Sequence, residues 1–255
     1  MKILVVLSGG QDSTTCLFWA RSLLTDKGDK LHAVTFDYGQ RHRIEIEAAR
    51  KVASMANVDS HEVIEVPNCL RSVSPLTSEH ELEKYESYEQ MDRVIGSRVE
   101  LTFVPMRNTL FLTIAANRAV ALGCNQIVTG ICEQDTANYP DCRQSFLSQM
   151  EEAINQSLGR QIEERIEILA PLVNLSKAQS IARAMELPGC MQALAYSHTS
   201  YDGKYPPTDM NHSNVLRAQG FLEAGVPDPL VMRAWREGRM ELPTTANYAS
   251  LRGDA

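Results

Sequence analysis

Residues 2–7 (Lys-Ile-Leu-Val-Val-Leu) run directly into Ser8-Gly9-Gly10-Gln11-Asp12-Ser13-Thr14. An unbroken apolar run closed by a glycine pair is the pattern of a buried strand. Residues 12–25 then carry helical spacing, with Asp12 or Ser13 near the cap. The order repeats. Residues 31–36 read as a strand, 42–57 as a helix spaced on Ile44, Ala48, Val52 and Met55, and 61–66 as a third strand. Strand, helix, strand, helix, strand predicts an α/β fold. Its doubly wound parallel sheet should present ligands at the carboxyl ends of the strands.

Further along, residues 74–98 are polar and charged and read as a surface excursion or a lid. A long helix is expected over Asn108 to Leu122, a strand over 126–131, a helix over 143–157, and a strand over 166–172. A helix capped by Ser176 follows. After Cys190 the chain reads as irregular through Pro206-Pro207, up to a short helix over 213–225. Roughly the last 25 residues are weakly patterned and read as a helix plus a loose tail. The expected division is an α/β domain over 1–190 and a small C-terminal helical subdomain and tail over 191–255, which can belong to the same domain.

Several function classes are disfavoured. A net charge of −7 argues against a broad electrostatic grip on nucleic acid. No apolar run approaches the roughly 20 residues of a membrane helix. The apolar run after Met1-Lys2 is too short for a signal-peptide core. The expected location is therefore the cytoplasm, with no membrane partner. The 6 cysteines contain no Cys-x-x-Cys pair and read as free thiols of a reducing compartment.

A strand, a glycine turn and a helix present unpaired N–H groups at a helix amino terminus, which suits phosphate. Gly9 and Gly10 allow close backbone approach, and Ser8, Ser13 and Thr14 add hydroxyls. Neither G-x-x-x-x-G-K-[ST] nor G-x-G-x-x-G is present. A carboxylate inside such a turn repels phosphate unless a cation sits between them. Asp12 is therefore a candidate ligand for Mg²⁺. The bland alternative is a tight turn with a helix cap; the hydroxyls and Asp12 together favour phosphate.

SGGQDST resembles the SGGxDS motif of the N-type ATP pyrophosphatases, which cleave ATP between its α and β phosphates. Further stretches resemble one branch of them: Phe36 to His42, Phe103 to Asn108, Gly130 to Asp135, Tyr139 to Arg143, and Pro171-Leu172 with Leu175-Ser176-Lys177. That branch is the 7-cyano-7-deazaguanine synthases, the QueC family, and the resemblance runs from Met1 to about Gly225. It implies a Rossmann-like fold of the adenine nucleotide alpha-hydrolase type, the use of ATP and Mg²⁺, and a homodimer. It also implies 7-carboxy-7-deazaguanine as the substrate. The acid is adenylated, converted by ammonia to the amide, then activated again and dehydrated to the nitrile.

Carried onto this chain, the resemblance makes Asp12, Arg107 and Lys177 the catalytic candidates, the two cations neutralising phosphate charge. ATP would be held by Leu7, Ser8, Gly9, Gly10, Gln11, Asp12, Ser13 and Thr14, with Asp37, Tyr38 and Gly130. The substrate would be held by Gln40, Arg41, His42, Asn108, Glu133, Asp135, Tyr139, Asp141 and Arg143. A carboxylate suits the N–H edge of a deazaguanine, and Tyr139 suits its face. Cys132 and Cys142 read as packing residues.

Two departures stand out. Met106 occupies a position where the family usually has glycine, and its side chain is expected to narrow the pocket or redirect the loop. The family's zinc cysteines fall on Ser200, Thr208, Asn211 and Asn214, none of them a thiol. His198, His212 and Asp209 make a poor replacement set, so zinc is expected to be absent and the segment held by hydrogen bonds, by Pro206-Pro207 or by a partner subunit; the alternative is a segment that is simply mobile. These departures leave three functions open. The first is the family's synthase reaction. The second is a paralogue passing an adenylated deazaguanine to a macromolecular amine, such as a protein partner in antiviral defence. The third is a non-catalytic nucleotide-binding protein.

Overall fold

The computed structural model describes residues 1–39, 44–67, 69–78, 80–133, 137–159 and 164–253. A 5-stranded sheet is built from β1 (Lys2–Val6), β2 (Lys30–Asp37), β3 (Ser60–Glu65), β4 (Gln126–Val128) and β5 (Glu167–Leu169), in the order β3-β2-β1-β4-β5. All neighbouring pairs are parallel. β1 is central, which explains its continuous apolar run: successive side chains point to opposite faces, and both faces are covered. Ile3, Val5 and Leu7 enter one core cluster, and Leu4 enters the other.

The crossover helices supply the two layers. α1 (Gln11–Ser22) and α2 (Ile44–Ala56) pack on the Ile3–Val5 face. α4 (Arg107–Leu122) and α5 (Gln144–Leu158) pack on the Leu4 face through Leu112, Ala115, Leu147 and Ile154. The α/β reading with a doubly wound parallel sheet is borne out. The direction of winding reverses between β1 and β4, which leaves a crevice at their carboxyl ends.

The remaining helices close that crevice. α6 (Lys177–Glu186) starts with the expected Ser176 cap, here a full capping box with Gln179. α8 (His212–Glu223) packs on α6, and α9 (Pro229–Arg236) follows it. Two helices escaped the sequence reading. α3 (Tyr88–Ile95) lies in the charged stretch 74–98 and is not loop: Met91 and Ile95 bury against Val215 and Leu216 of α8. Its apolar stripe is two turns long and diluted by charges. α7 (Cys190–Leu194) is too short to show a period. A terminal helix, α10 (Ala249–Arg252), ends the described chain.

Two strands are shorter than expected. β4 ends at Val128, because the chain leaves the ladder to pass the start of α1. β5 ends before Pro171, which has no N–H to donate. α1 begins one residue early: its cap is Gly10, with Asp12 in the first turn and no side-chain cap.

Met106 immediately precedes α4 with φ 65° and ψ 6°, in the left-handed region. A side chain there costs roughly 1–2 kcal/mol, which glycine avoids at the expense of some chain entropy. Its side chain is exposed and does not line the cleft described below, so it does not narrow the pocket as expected. Met106→Gly is expected to raise Tm by about 2–4 °C, the shift that about 1 kcal/mol produces at this chain length, read by differential scanning calorimetry.

Candidate active site

A cleft of about 660 Å³ opens at the carboxyl ends of β1 and β4. Its floor is the turn from β1 to α1, and its own hydroxyls shape that turn. Ser13 Oγ accepts from the Ser8 amide at 3.2 Å and donates to the Gly10 carbonyl at 3.2 Å. The Thr14 hydroxyl donates to the same carbonyl at 2.7 Å, so Thr14 serves the turn and does not line the cleft. Gly9 lies beneath the turn with φ +86°; a Cβ there would stand 2.4 Å from the Glu45 carbonyl oxygen and 2.7 Å from the Ala49 amide. Gly130 lies above it, where a Cβ would stand 2.8 Å from the Ser13 amide. Leu7, Ser8, Gly10, Gln11, Asp12, Ser13 and Gly130 all line the cleft. Gln11 is 4% exposed, and neither of its side-chain amide atoms has a hydrogen-bond partner.

Arg107 opens α4, Lys177 opens α6 and His212 opens α8, and all three line the cleft beside the first turn of α1. The positive ends of these helices thus meet in one cavity. Lys177 Nζ contacts Asp12 Oδ2 at 2.9 Å, which joins two of the three expected catalytic side chains. Arg107 is hydrogen-bonded to Tyr38. An aromatic wall adjoins them: Phe36 stacks on Phe111 at 4.3 Å, Tyr38 tilts against Phe111 at 5.4 Å, and Tyr139 tilts against Phe103 at 5.4 Å.

Among the expected substrate residues, Asn108, Glu133, Tyr139 and Arg143 line the cleft. Glu133 Oε2 accepts from the Gln144 amide at 2.9 Å, at the start of α5. Asp141 does not line the cleft. It is buried, Asn108 donates to it from its amide at 3.3 Å, and burial pushes its carboxyl up against the pull of Arg107. Its place is behind Arg107, holding the start of α4. Asp37 ends β2 outside the cleft lining and accepts from the Gly39 amide at 3.3 Å. Gln40, Arg41, His42 and Asp135 lie outside the described residues.

The sequence reading missed Glu45, Phe36, Phe111 and Tyr201, all in the lining. Phe36 alone had a signal, its place at the end of a strand. Burial pushes Glu45 up to about 7, with Arg107 opposing, and burial likewise raises Tyr201.

A family model for the queuosine biosynthesis protein QueC matches residues 2–225. The chain belongs to that family. A 7-cyano-7-deazaguanine synthase of Chromobacterium violaceum is 44% identical over 93% of this chain and 96% of its own length. One of Gloeobacter violaceus is 45% identical over 90% of this chain and 95% of its own, and one of Laribacter hongkongensis is 46% identical over 90% and 94%. Neither transfer to a macromolecular amine nor a non-catalytic role finds support in these matches.

The positions corresponding to the family's zinc cysteines do not fit the metal. Asn211 and Asn214 both turn their Nδ2 donors onto Ser200 Oγ, at 3.2 and 2.8 Å, and that hydroxyl donates to Asp202 at 2.5 Å. Asn211 Oδ1 in turn accepts from the Ser213 hydroxyl at 2.7 Å and the Asn214 amide at 3.1 Å. Amide N–H groups converging on one oxygen cannot ligate a cation, and hydroxyl and amide are weak partners for Zn²⁺. Thr208 is exposed and stands outside this knot. His198 uses its ring on the Ser200 carbonyl at 2.8 Å, and Asp209 pairs with Lys84 at 2.8 Å.

The knot matters because the adjoining segment covers the phosphate turn. The His198 amide donates to the Gly9 carbonyl at 2.8 Å, and His198, Thr199 and Tyr201 line the cleft. Arg217, 2% exposed, braces the same segment: it binds Asp228 at 2.6 and 2.8 Å, Ser197 Oγ at 2.9 Å and Thr199 Oγ1 at 2.8 Å. Ser200→Ala removes an acceptor shared by two buried amides, each of which keeps a bond to Asp209, and is expected to cost about 0.5–1.5 kcal/mol, measured by urea unfolding. Strong chelators should leave the wild-type Tm unchanged.

Proposed function

We propose that this chain is an ATP-dependent synthase that converts 7-carboxy-7-deazaguanine, with ammonia as nitrogen donor, to 7-cyano-7-deazaguanine. The observation that carries the reading is the meeting of helix amino termini with Arg107 and Lys177 around the Ser8–Ser13 turn. Such a cavity is built for a polyanion, and its cations stand where charge must be neutralised as pyrophosphate leaves. The unpartnered Gln11 side-chain amide, at the amino terminus of α1, would hold phosphate oxygens.

The Asp12 carboxylate and the serine hydroxyls are the hard oxygen donors that Mg²⁺ takes. Asp12 would hold the ion, which supplies charge neutralisation between carboxylate and phosphates. Lys177, now on Asp12, would then be free to meet phosphate. The aromatic wall of Phe36, Tyr38 and Phe111 gives a flat ring a face to lie on, and Tyr139 gives another. The segment over the turn would shield an activated acyl group from water.

The test is turnover followed by mass spectrometry, with ATP, Mg²⁺, ammonium and 7-carboxy-7-deazaguanine. The nitrile and AMP are expected to appear together. Lys177→Ala should lower kcat/KM by about 10²–10³-fold, the usual scale for removing one charge-stabilising donor. Absence of substrate-dependent AMP from the wild type would overturn the reading.

A further inference from the structure

Glu45 is a carboxylate in the cleft to which neither phosphate binding nor the aromatic wall assigns a task. It lies in the first turn of α2 and lines the cavity. Among the described residues, no hydrogen bond or ion pair holds its carboxylate. Its main chain is nonetheless fixed, because Gly9 packs directly on its carbonyl. The turn that receives phosphate and the Glu45 backbone therefore keep one geometry. Arg107, Tyr38 and Tyr201 face it, from α4, the end of β2 and the segment before α8.

Nitrile synthesis from an acid requires nitrogen to lose protons. In the first half, ammonia attacks the acyl carbon. The C–N bond forms, the bond to the AMP oxygen breaks, AMP keeps that electron pair, and one nitrogen proton must leave. In the second half the amide oxygen carries the adenylate. The amide nitrogen still carries two protons: one leaves as its oxygen takes the adenylate and pyrophosphate departs, and the second leaves as the C–O bond breaks, AMP keeps that electron pair, and C≡N results. We propose that the Glu45 carboxylate is the catalytic base that takes the proton from nitrogen in both halves and passes it to water, an inference that rests on the synthase reading above.

The position fits the task. A base beside the phosphate turn stands next to the carbon that carries the phosphate, not at the far edge of the ring. Burial raises Glu45 to about 7, which makes its carboxylate a stronger proton acceptor while leaving much of it ionised at neutral pH. Arg107 and the raised tyrosines keep their charge states there. The Asp12–Lys177 pair, His198 and His212 share the cavity.

The experiment compares Glu45→Gln with wild type in two assays. Pyrophosphate exchange into ATP, driven by 7-carboxy-7-deazaguanine without ammonium, reads activation alone. Nitrile formation with ammonium reads the nitrogen steps. The expected result is exchange within about threefold of wild type and nitrile formation down by about 10²–10⁴-fold, the scale of general-base catalysis. The wild-type rate should rise with pH through about 7, the value of Glu45, and the variant should lose that rise. Glu45→Asp should recover part of the rate. Equal loss in both assays, or a Glu45→Gln enzyme that keeps its nitrile rate and pH rise, would overturn the proposal alone. Failure of the wild type to exchange would overturn the synthase reading and this inference with it.

Discussion

All strands of the sheet run in one direction, and the rest of the structure depends on that constraint. A parallel strand must be followed by a crossover, and a right-handed crossover returns its helix antiparallel to the strands. Every helix entered from a strand end therefore starts at the same edge of the sheet. α1 and α4 bring their amino termini to that edge from opposite faces, on either side of the reversal between β1 and β4. α6 and α8 then add theirs. The anion-binding character of the cleft is thus a consequence of topology before any side chain is considered.

Close approach converts that general property into a particular site. The turn after β1 is pressed between α2 below and the end of β4 above, and only glycine fits at 9 and 130. The turn cannot shift without moving both layers, so Asp12, Gln11 and Ser13 are held where a ligand can find them. The C-terminal segment completes the enclosure. It holds the turn through the backbone hydrogen bond from His198 to Gly9. That bond is kept in register by two buried polar assemblies, the Ser200–Asn211–Asn214 knot and the Arg217–Asp228 pair. A buried ion pair of this kind contributes as much to geometry as to stability, because its charges tolerate no loosening once out of water.

The insertion around α3 shows how such assemblies spread. Lys84 reaches Asp209 beside the knot, the Tyr85 amide donates to the Met210 carbonyl at 2.8 Å, and Met91 and Ile95 pack under α8. A stretch that reads as a polar excursion is instead a prop for the helix that carries His212 and Arg217 into the cleft. Its charges face solvent, and its few apolar residues suffice because α8 supplies the other half of their core.

The sequence by itself determined the strand–helix order, the burial of the Ile3–Val6 strand, the glycine turn and the helix that Lys177 opens after Ser176. Each is written in local pattern: apolar runs, glycine pairs, a capping serine. What the tertiary structure alone decided is which side chains meet. Lys177 finds Asp12 across the chain, Asp141 withdraws behind Arg107, Phe111 turns to face Phe36, and Glu45 comes to rest under the turn. Met106 could be seen to be unusual but not to be exposed, since a left-handed backbone follows from how α4 is approached. Serine and asparagine at 200, 211 and 214 carry no signal of a knot, because their hydrogen bonds exist only once residues far apart in the chain are buried together. Local pattern specifies elements; burial and close approach, which are non-local, specify the site.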